Sequence, residues 1–541
     1  MPEYLYPGVY VEEIDTGNKP IEGVSTSTVG FLGIAERGPL VGIPELGAVG
    51  GTLVTSFTEF VRTFGGYVQE NGADRYLAYA VEGFFQNGGL RCYITRVASS
   101  KAAKAFLAIG GMTVNAQGPG ISGNRIAVIV ADGSLKSAKN AATSDYFKLT
   151  ILYWSPSLSV PGLSGVAGTL IDPTDPANRT NPDMRPPTLI EVYDNLTANP
   201  ISSNNYLKAV NGASSLVTLS QTSAAAIGNT ALTPLAGGDD GDKLALADFT
   251  GDATASPGTK LGLAALEEVD EISILCCPDE YYDFAGGSAD NLALSQAIVD
   301  QCELTKFRFA ILQAMQSAPP PGSHRPTVIS KYAAYYYPWL RIVNPLTSLP
   351  MLVPPGGHMA GIYARSDTNR SVAKDPANEP IRMIDSLQLQ ITNGQQAVLN
   401  PVGVNCLRYF KTLGNLVWGG RTTSSDPDWK YISVRRLFIY LEKSIQNGTQ
   451  WVVFEPNDTP LWARVIRSVS DFLTGVWRDG MLQGTTKEQA YFVRCDRTTM
   501  TQADIDNGRM IMIIGVAPVK PAEFVIFRIG QWTAGADVSE S

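Results

Sequence analysis

The stretch that decides the fold spans residues 431–532 and opens Tyr431-Ile432-Ser433-Val434-Arg435-Arg436-Leu437-Phe438-Ile439-Tyr440-Leu441. Val434, Leu437, Phe438, Leu441 and Ile445 share one face at helical spacing, and Asn447-Gly448 supplies a left-handed stop, so a helix with one buried side is expected. Residues 451–454 read as a short strand. Asn457-Asp458-Thr459-Pro460 then starts a second helix, with proline at the first helical position, where its missing N–H costs nothing. Trp462, Val465, Ile466, Val469, Phe472, Leu473 and Val476 form its stripe, and Gly480 closes it. Residues 491–495 predict a strand, Thr501-Gln502-Ala503-Asp504 a capping box on a short helix ending at Gly508, and residues 510–516 a further strand. Pro518 and Pro521 separate that strand from Glu523-Phe524-Val525-Ile526-Phe527-Arg528-Ile529, so no tight hairpin joins them. Phe524, Val525, Ile526, Phe527 and Ile529 therefore read as an arm that adds a strand to another sheet.

The opposite terminus mirrors this end. Pro7-Gly8 turns the chain, Val9, Tyr10, Val11, Glu12 and Ile14 lie in a short strand, and Thr16-Gly17-Asn18-Lys19-Pro20 breaks its pairing with the next segment. Residues 27–35 then read as a buried strand, Ser56-Phe57-Thr58-Glu59 as a capping box on a helix stopped at Gly65-Gly66, and Leu77, Val81, Phe84 and Phe85 as the stripe of a helix capped by Asn87-Gly88-Gly89. With a strand at 93–97, this alternation favours a mixed or parallel sheet covered by helices. From 101 to 259 the texture changes to Ala, Gly, Ser, Thr and Asn, with strands at 125–130, 146–154, 189–193 and 215–219 and an exposed loop at 171–187. This is the pattern of a mostly β domain inserted into an α/β core. The α/β pattern resumes at Leu261, with strands at 272–276 and 307–312 around a helix at 292–302.

At 541 residues the chain exceeds one ordinary core, and its 52 Gly and 34 Pro imply many turns and strands. A net charge of -9 without a basic run argues against nucleic acid as a partner. Only 17% of residues are charged, which suits a protein that meets copies of itself. Cys92, Cys276, Cys277, Cys302, Cys406 and Cys495 show no C-x-x-C spacing and read as buried free thiols. The N-terminus lacks the pattern of a signal peptide, and the apolar run 510–517 is too short to span a bilayer. Synthesis and assembly in the cytoplasm, without direct membrane insertion, are expected.

Three features resemble chemistry and fail on context. Gly118-Pro119-Gly120-Ile121-Ser122-Gly123 matches G-x-G-x-x-G, but a strand comes next where a dinucleotide site needs a helix N-terminus. Asp239-Asp240-Gly241-Asp242 lacks the downstream bidentate glutamate of a calcium loop. His324 and His358, the two histidines, each stand beside Gly or Pro and read as loop residues, which leaves little from which to build a metal site or triad. No catalytic, cofactor or metal site is expected.

Pro7-Gly8-Val9-Tyr10-Val11-Glu12-Glu13, Pro20-Ile21-Glu22-Gly23-Val24-Ser25-Thr26-Ser27 and Arg37-Gly38-Pro39 closely resemble the start of contractile tail sheath proteins. Further segments similar to that family are Tyr335-Tyr336-Tyr337-Pro338-Trp339, Pro354-Pro355-Gly356-Gly357, Gly361-Ile362-Tyr363-Ala364-Arg365, Leu399-Asn400-Pro401, Trp418-Gly419-Gly420-Arg421-Thr422, Val434-Arg435-Arg436-Leu437 and Gly515-Val516-Ala517-Pro518. Ser371 and Ala373 depart from it, standing where the family usually has Gly and Trp, and Ser122 replaces an aromatic. The resemblance implies a subunit that stacks as six-fold rings around an inner tube, contracts to drive that tube through an envelope, and ties into neighbours by both terminal arms. Its implied partners are itself, the tube protein, and baseplate and terminal cap proteins. The fold expected is an α/β (α+β) core with a mixed sheet flanked by helices, an inserted mostly-β outer domain, and extended N- and C-terminal β arms. The domains would be an arm and linker at 1–22, a core at 23–100 plus 260–517 with its inner C-terminal part at 430–517, the outer domain at 101–259, and an arm at 518–541. Lys487, Glu488, Asp504 and Arg509 are candidates for tube contact, with a solvated charged turn as the other reading. The closing Pro521-Ala522-Glu523-Phe524-Val525-Ile526-Phe527-Arg528 looks like the sheaths of extracellular contractile injection systems, the alternative being a phage tail sheath. A hydrolase using either histidine and a monomeric sugar-binding β-protein are the readings from other classes.

Overall fold

The computed structural model describes residues 20–42, 50–70, 73–135, 146–223, 225–317 and 320–527. Val9, Tyr10, Val11, Glu12, Ile14 and Ile529 lie outside the described residues.

An eight-stranded sheet is built from β1 (Val29–Gly33), β2 (Thr52–Val54), β3 (Cys92–Arg96), β4 (Ile274–Cys276), β5 (Phe309–Gln313), β6 (Ala333–Tyr337), β7 (Val404–Phe410) and β8 (Gly414–Trp418), in the order β2-β3-β1-β4-β5-β6-β7-β8. Pairing is parallel from β3 to β7, and β2 and β8 close the edges antiparallel. Every residue of β1, β4, β5 and β6 is buried, because helices cover both faces of a parallel sheet and leave no room for alternation. The covering helices include α1 (Phe57–Phe64), α2 (Leu77–Gln86), α3 (Ser288–Thr305) and α4 (Gly356–Asn369). Ser56 Oγ caps α1 by accepting Glu59 N–H at 3.2 Å, and Gly65 leaves it at φ +89. Helices α2 and α4 meet through small residues. A Cβ on Gly357 would lie 2.3 Å from the Ala80 carbonyl oxygen, and one on Gly361 2.4 Å from that of Phe84. His358 thus sits inside α4 and not in a loop, a correction to the sequence reading. The Pro354-Pro355-Gly356-Gly357 run that suggested a loop is the start of this tightly packed helix.

Residues 106–234 supply two antiparallel sheets. One orders Leu189–Leu196, Phe147–Tyr153, Ile126–Asp132 and Thr230–Pro234, the other Val217–Gln221, Met112–Ala116 and Phe106–Ile109. They enclose their own hydrophobic cluster, with Met112, Val114, Val128, Leu149 and Ile151 at its centre. The strands at 106–116 are only four and five residues long around a Gly110-Gly111 turn, so their sequence carries little periodic signal.

The C-terminal part packs α5 (Ile432–Gly448) and α6 (Thr459–Arg478) with a two-stranded antiparallel sheet, β9 (Tyr491–Arg494) and β10 (Ile513–Val516). Leu437, Leu441, Trp462, Val465, Val469 and Leu473 form its core. Asp458 Oδ1 accepts Leu461 N–H at 2.9 Å, and α6 starts at Thr459, which puts Pro460 at the second helical position. Residues 451–454 do not form the expected strand. Helix α5 runs through Gly448 without a left-handed stop, Ile21 occupies the space beside that glycine, and the chain turns on as a 3-10 helix, Gln450–Val452. Val453 and Phe454 are left in solvent with no strand partner among the described residues.

Candidate assembly site at the root of the C-terminal arm

After β10 the chain stays paired for a few residues. Gln483 N–H donates to the Ala517 carbonyl at 2.8 Å and Val519 N–H to that of Met481 at 3.3 Å. It then crosses to the core, where Glu523 enters a socket built from three separate segments. Arg421 grips the carboxylate with both arms of its guanidinium, Nε to Oε1 at 2.7 Å and Nη2 to Oε2 at 2.8 Å. Asn400 Nδ2 donates to Oε1 at 2.7 Å, Tyr431 OH to Oε2 at 3.2 Å, and Lys430 Nζ stands 3.2 Å from Oε2. A planar fork meeting a planar carboxylate is the strongest geometry open to an ion pair.

Local structure holds each member in place. Gly403, at φ +82, ends the turn carrying Asn400 and starts β7. Arg421 is clamped by Asn405, which accepts its N–H at 2.8 Å and donates to its carbonyl at 2.7 Å. Lys430 and Tyr431 immediately precede α5, whose Ser433 N–H donates to Asp375 Oδ1 at 2.7 Å. Arg436, a helical turn further on, reaches Asp367 of α4 at 2.6 Å and so ties α5 to the core. Burial would raise the Glu523 carboxyl, but the hydrogen bonds from Arg421 and Asn400 and the nearby cations hold it down at about 2. The pair is therefore ionised at any physiological pH.

Beyond this root, residues 524–527 stand clear of the fold. Phe524, Val525, Ile526 and Phe527 are 70%, 71%, 80% and 83% exposed and join no strand, so four consecutive apolar residues stand in water. Near the root's approach path, β9 and β10 also present apolar side chains outward, at Phe492 and Ile513. The sequence reading placed Phe524–Phe527 in an arm but missed the socket; its members lie in separate motifs whose meeting only the fold reveals.

The other candidate residues are not drawn together. Lys487 and Glu488 are 4.0 Å apart on one short helix, Arg509 and Asp504 are 3.7 Å apart, and no hydrogen bond or ion pair among the described residues joins the two pairs. His324 lies against Tyr335 and Tyr337 with tilted rings, its Nε2 without a partner among the described residues, and His358 Nδ1 is likewise unpaired; burial pushes both rings down to about 4. Neither ring touches a carboxylate among the described residues, so neither has the partner a catalytic base requires. The six cysteines are buried and free. No described helix is long and apolar enough to cross a membrane.

Residues 252–423 match the phage tail sheath protein central domain, and residues 424–531 the phage tail sheath C-terminal domain. The chain belongs to the phage tail sheath family. Family membership makes it a structural sheath protein and not an enzyme. The tail sheath protein of Vibrio phage KVP40 is 25% identical over 192 residues, 35% of this chain and 28% of that protein. A putative prophage major tail sheath protein of Pseudomonas aeruginosa is 24% identical over 204 residues, 36% of this chain. The chain matches 28% and 51% of the length of these two relatives. The contracted helical sheath of the anti-feeding prophage aligns over 98% of this chain and 99% of its own, with TM-score 0.56 and 24% identity. The contracted sheath of an extracellular contractile injection system, PVC, covers the same shares at TM-score 0.55 and 20% identity.

Proposed function

We propose that this chain is the sheath subunit of a contractile injection system, polymerising as stacked six-fold rings around an inner tube and contracting to drive that tube through a target envelope. The observation that carries the reading is the fixed Glu523 followed by four exposed apolar residues. An unpaired apolar strand is a liability in a monomer and a tether in a polymer. Its receiver would be the two-stranded β9–β10 sheet of a neighbour, whose free edges and outward Phe492 and Ile513 suit an added strand. The N-terminal arm, Val9 to Ile14, would add a second strand in the same way. Each backbone hydrogen bond contributes ~0.5–1.5 kcal/mol net and each well-buried Val, Ile or Phe ~1.5–3 kcal/mol, so one arm is a firm tether that leaves rigid cores free to rotate.

In this reading residues 101–259 form the outer domain, and the C-terminal part faces the tube, with Lys487, Glu488, Asp504 and Arg509 as candidate contacts. Partners are the tube protein and the baseplate and cap proteins, without nucleic acid. Assembly takes place in the cytoplasm, and the particle is either released or anchored. The closing Pro521-Ala522-Glu523-Phe524-Val525-Ile526-Phe527-Arg528, which looks like the sheaths of extracellular contractile injection systems, favours an injection system over a phage tail. Neighbouring genes decide between them, since capsid and packaging genes would point to phage.

Negative-stain microscopy of the full chain, of chains lacking residues 1–14 or 524–541, and of Arg421→Met tests the mechanism. Hollow tubes from the full chain, absent from both deletions and shortened or absent in Arg421→Met at unchanged circular dichroism, are expected. Tubes of equal length from the deleted chains would refute the tether.

A further inference from the structure

Three features meet in one place: residues 119–122 of the glycine run, residues 240–242 of the acidic run and the buried Arg96. They line a crevice of about 480 Å³ outside the carboxyl ends of β1 and β3. The position is telling, because the strand order reverses at β1: the chain moves to β3 on one side and later returns to β4 on the other. Open α/β sheets hold small ligands beside such a reversal. Between β1 and β4 the space is filled by protein, where Asp279 accepts Ile34 N–H at 2.9 Å and Tyr76 N–H at 2.7 Å. It opens on the β3 side.

Arg96 is 6% exposed. Its Nε donates to the Ala35 carbonyl at 3.1 Å and its Nη1 to those of Gly38 and Pro119 at 3.1 and 2.9 Å. Its Nη2 has no hydrogen bond among the described residues, and the residue lines the crevice. Asp240 stands nearby, its Oδ1 accepting Ile121 N–H at 2.9 Å. A Cβ placed on Gly120 would lie 3.2 Å from Arg96 Nη2, 2.8 Å from Asp240 Oδ1 and 3.8 Å from Ser122 Oγ. A donor without a hydrogen bond, a carboxylate and a hydroxyl thus crowd close to the backbone of residue 120, at φ +125, where a side chain would clash with Asp240.

We propose that this crevice binds a neutral polyhydroxylated ligand of one or two sugar rings. A ligand hydroxyl that meets Arg96 and Asp240 on the crevice wall accepts from the first and donates to the second, and an alcohol is the group that does both. A phosphate there would face Asp240, Asp242 and Glu36, and an ammonium would face Arg96 and Lys243, so ligands of either charge are disfavoured. Ser99, Ser155, Ser157 and Gln69 continue the alternation of donors and acceptors around the wall. The volume lies within the range of small-ligand pockets, ~300–1,000 Å³.

Saturation-transfer difference NMR suits a chain that polymerises. Sucrose, trehalose, maltose and cellobiose are tested separately against the full chain, Asp240→Asn and Ser157→Trp; the second places an indole at the exposed mouth without touching a buried group. Transfer to at least one disaccharide, weakened roughly tenfold by each variant at unchanged thermal melting, is expected, the loss of a hydrogen bond to a charged group being of that size. No transfer from any of the four, or full transfer retained by either variant, overturns the proposal. Competition by dextran separates the sources: displacement identifies a glycan chain end, and its absence a free sugar.

Discussion

Glu280 is 1% exposed and holds its carboxyl among Ser295, which donates to Oε1, and the Gln313 N–H, which donates to Oε2 at 3.4 Å. Burial pushes it from 4.5 up to about 8, and the two hydrogen bonds lower it only in part. Its pKa is higher folded than unfolded, so the folded chain keeps a proton that the unfolded chain has released. The stability this contributes is fully present below 4.5 and is lost as pH rises through about 8. His324 and His358, depressed to about 4, act in the opposite sense, but below 6.5. Asp375, raised to about 6 by burial, titrates below the same limit. Between pH 6.5 and 8 Glu280 therefore stands alone among these groups. The urea midpoint of a chain lacking residues 524–541 should fall across that window, by up to about 1.4 kcal/mol of stability per pH unit, and Glu280→Gln should flatten the decline. An unchanged slope in the variant would remove Glu280 as its source.

At the scale of elements, two glycines in helices are expected to respond in opposite directions. Gly357 lies where α4 presses on α2, and a methyl there would sit 2.3 Å from a backbone oxygen that no rotamer can move. Gly357→Ala should cost about 1–3 kcal/mol or more, as overpacked sites do. Gly475 in α6 has nothing within 4 Å of its added Cβ. Gly475→Ala should stabilise by about 0.5–1 kcal/mol, through helix propensity alone. Denaturant midpoints of the two variants give the contrast directly, and two changes of the same sign would contradict the packing described. Sequence spacing located α6 but read the start of α4 as a loop, and it could not separate these glycines, because which face a helix turns to another helix is set by how the whole fold packs.

The whole molecule offers a test of its division. Residues 106–234 enclose their own cluster of side chains, and Ala103 and Asp239 pair as an isolated antiparallel bridge, so the two ends of that segment lie side by side. Replacing 103–239 by a two-residue Gly-Ser link should leave the core folded, with its helical circular dichroism retained and cooperative melting preserved. Loss of helical signal would show that the core depends on the contacts it makes there, among them Arg37 over the Tyr153 ring at 4.3 Å and Arg62 beside Glu191 at 3.7 Å.

The sequence by itself determined what is local or periodic. Its caps at Ser56 and Thr501, its apolar strands other than 451–454 and its α/β alternation each depend on residues within a few positions of one another, and each appears in the fold. The cap of α6 falls at Asp458, one residue before the expected position. It also marked Phe524–Phe527 as apolar residues without a hairpin partner, and those residues stand exposed. The tertiary structure decided what depends on long closures. Asn400, Arg421, Lys430 and Glu523 are separated by up to 123 positions, and no spacing rule brings them to one carboxylate. Nor does any local signal say that residues 451–454, as apolar as a strand, would find no edge to pair with. A strand is fixed by its neighbour, and the neighbour is supplied by the fold.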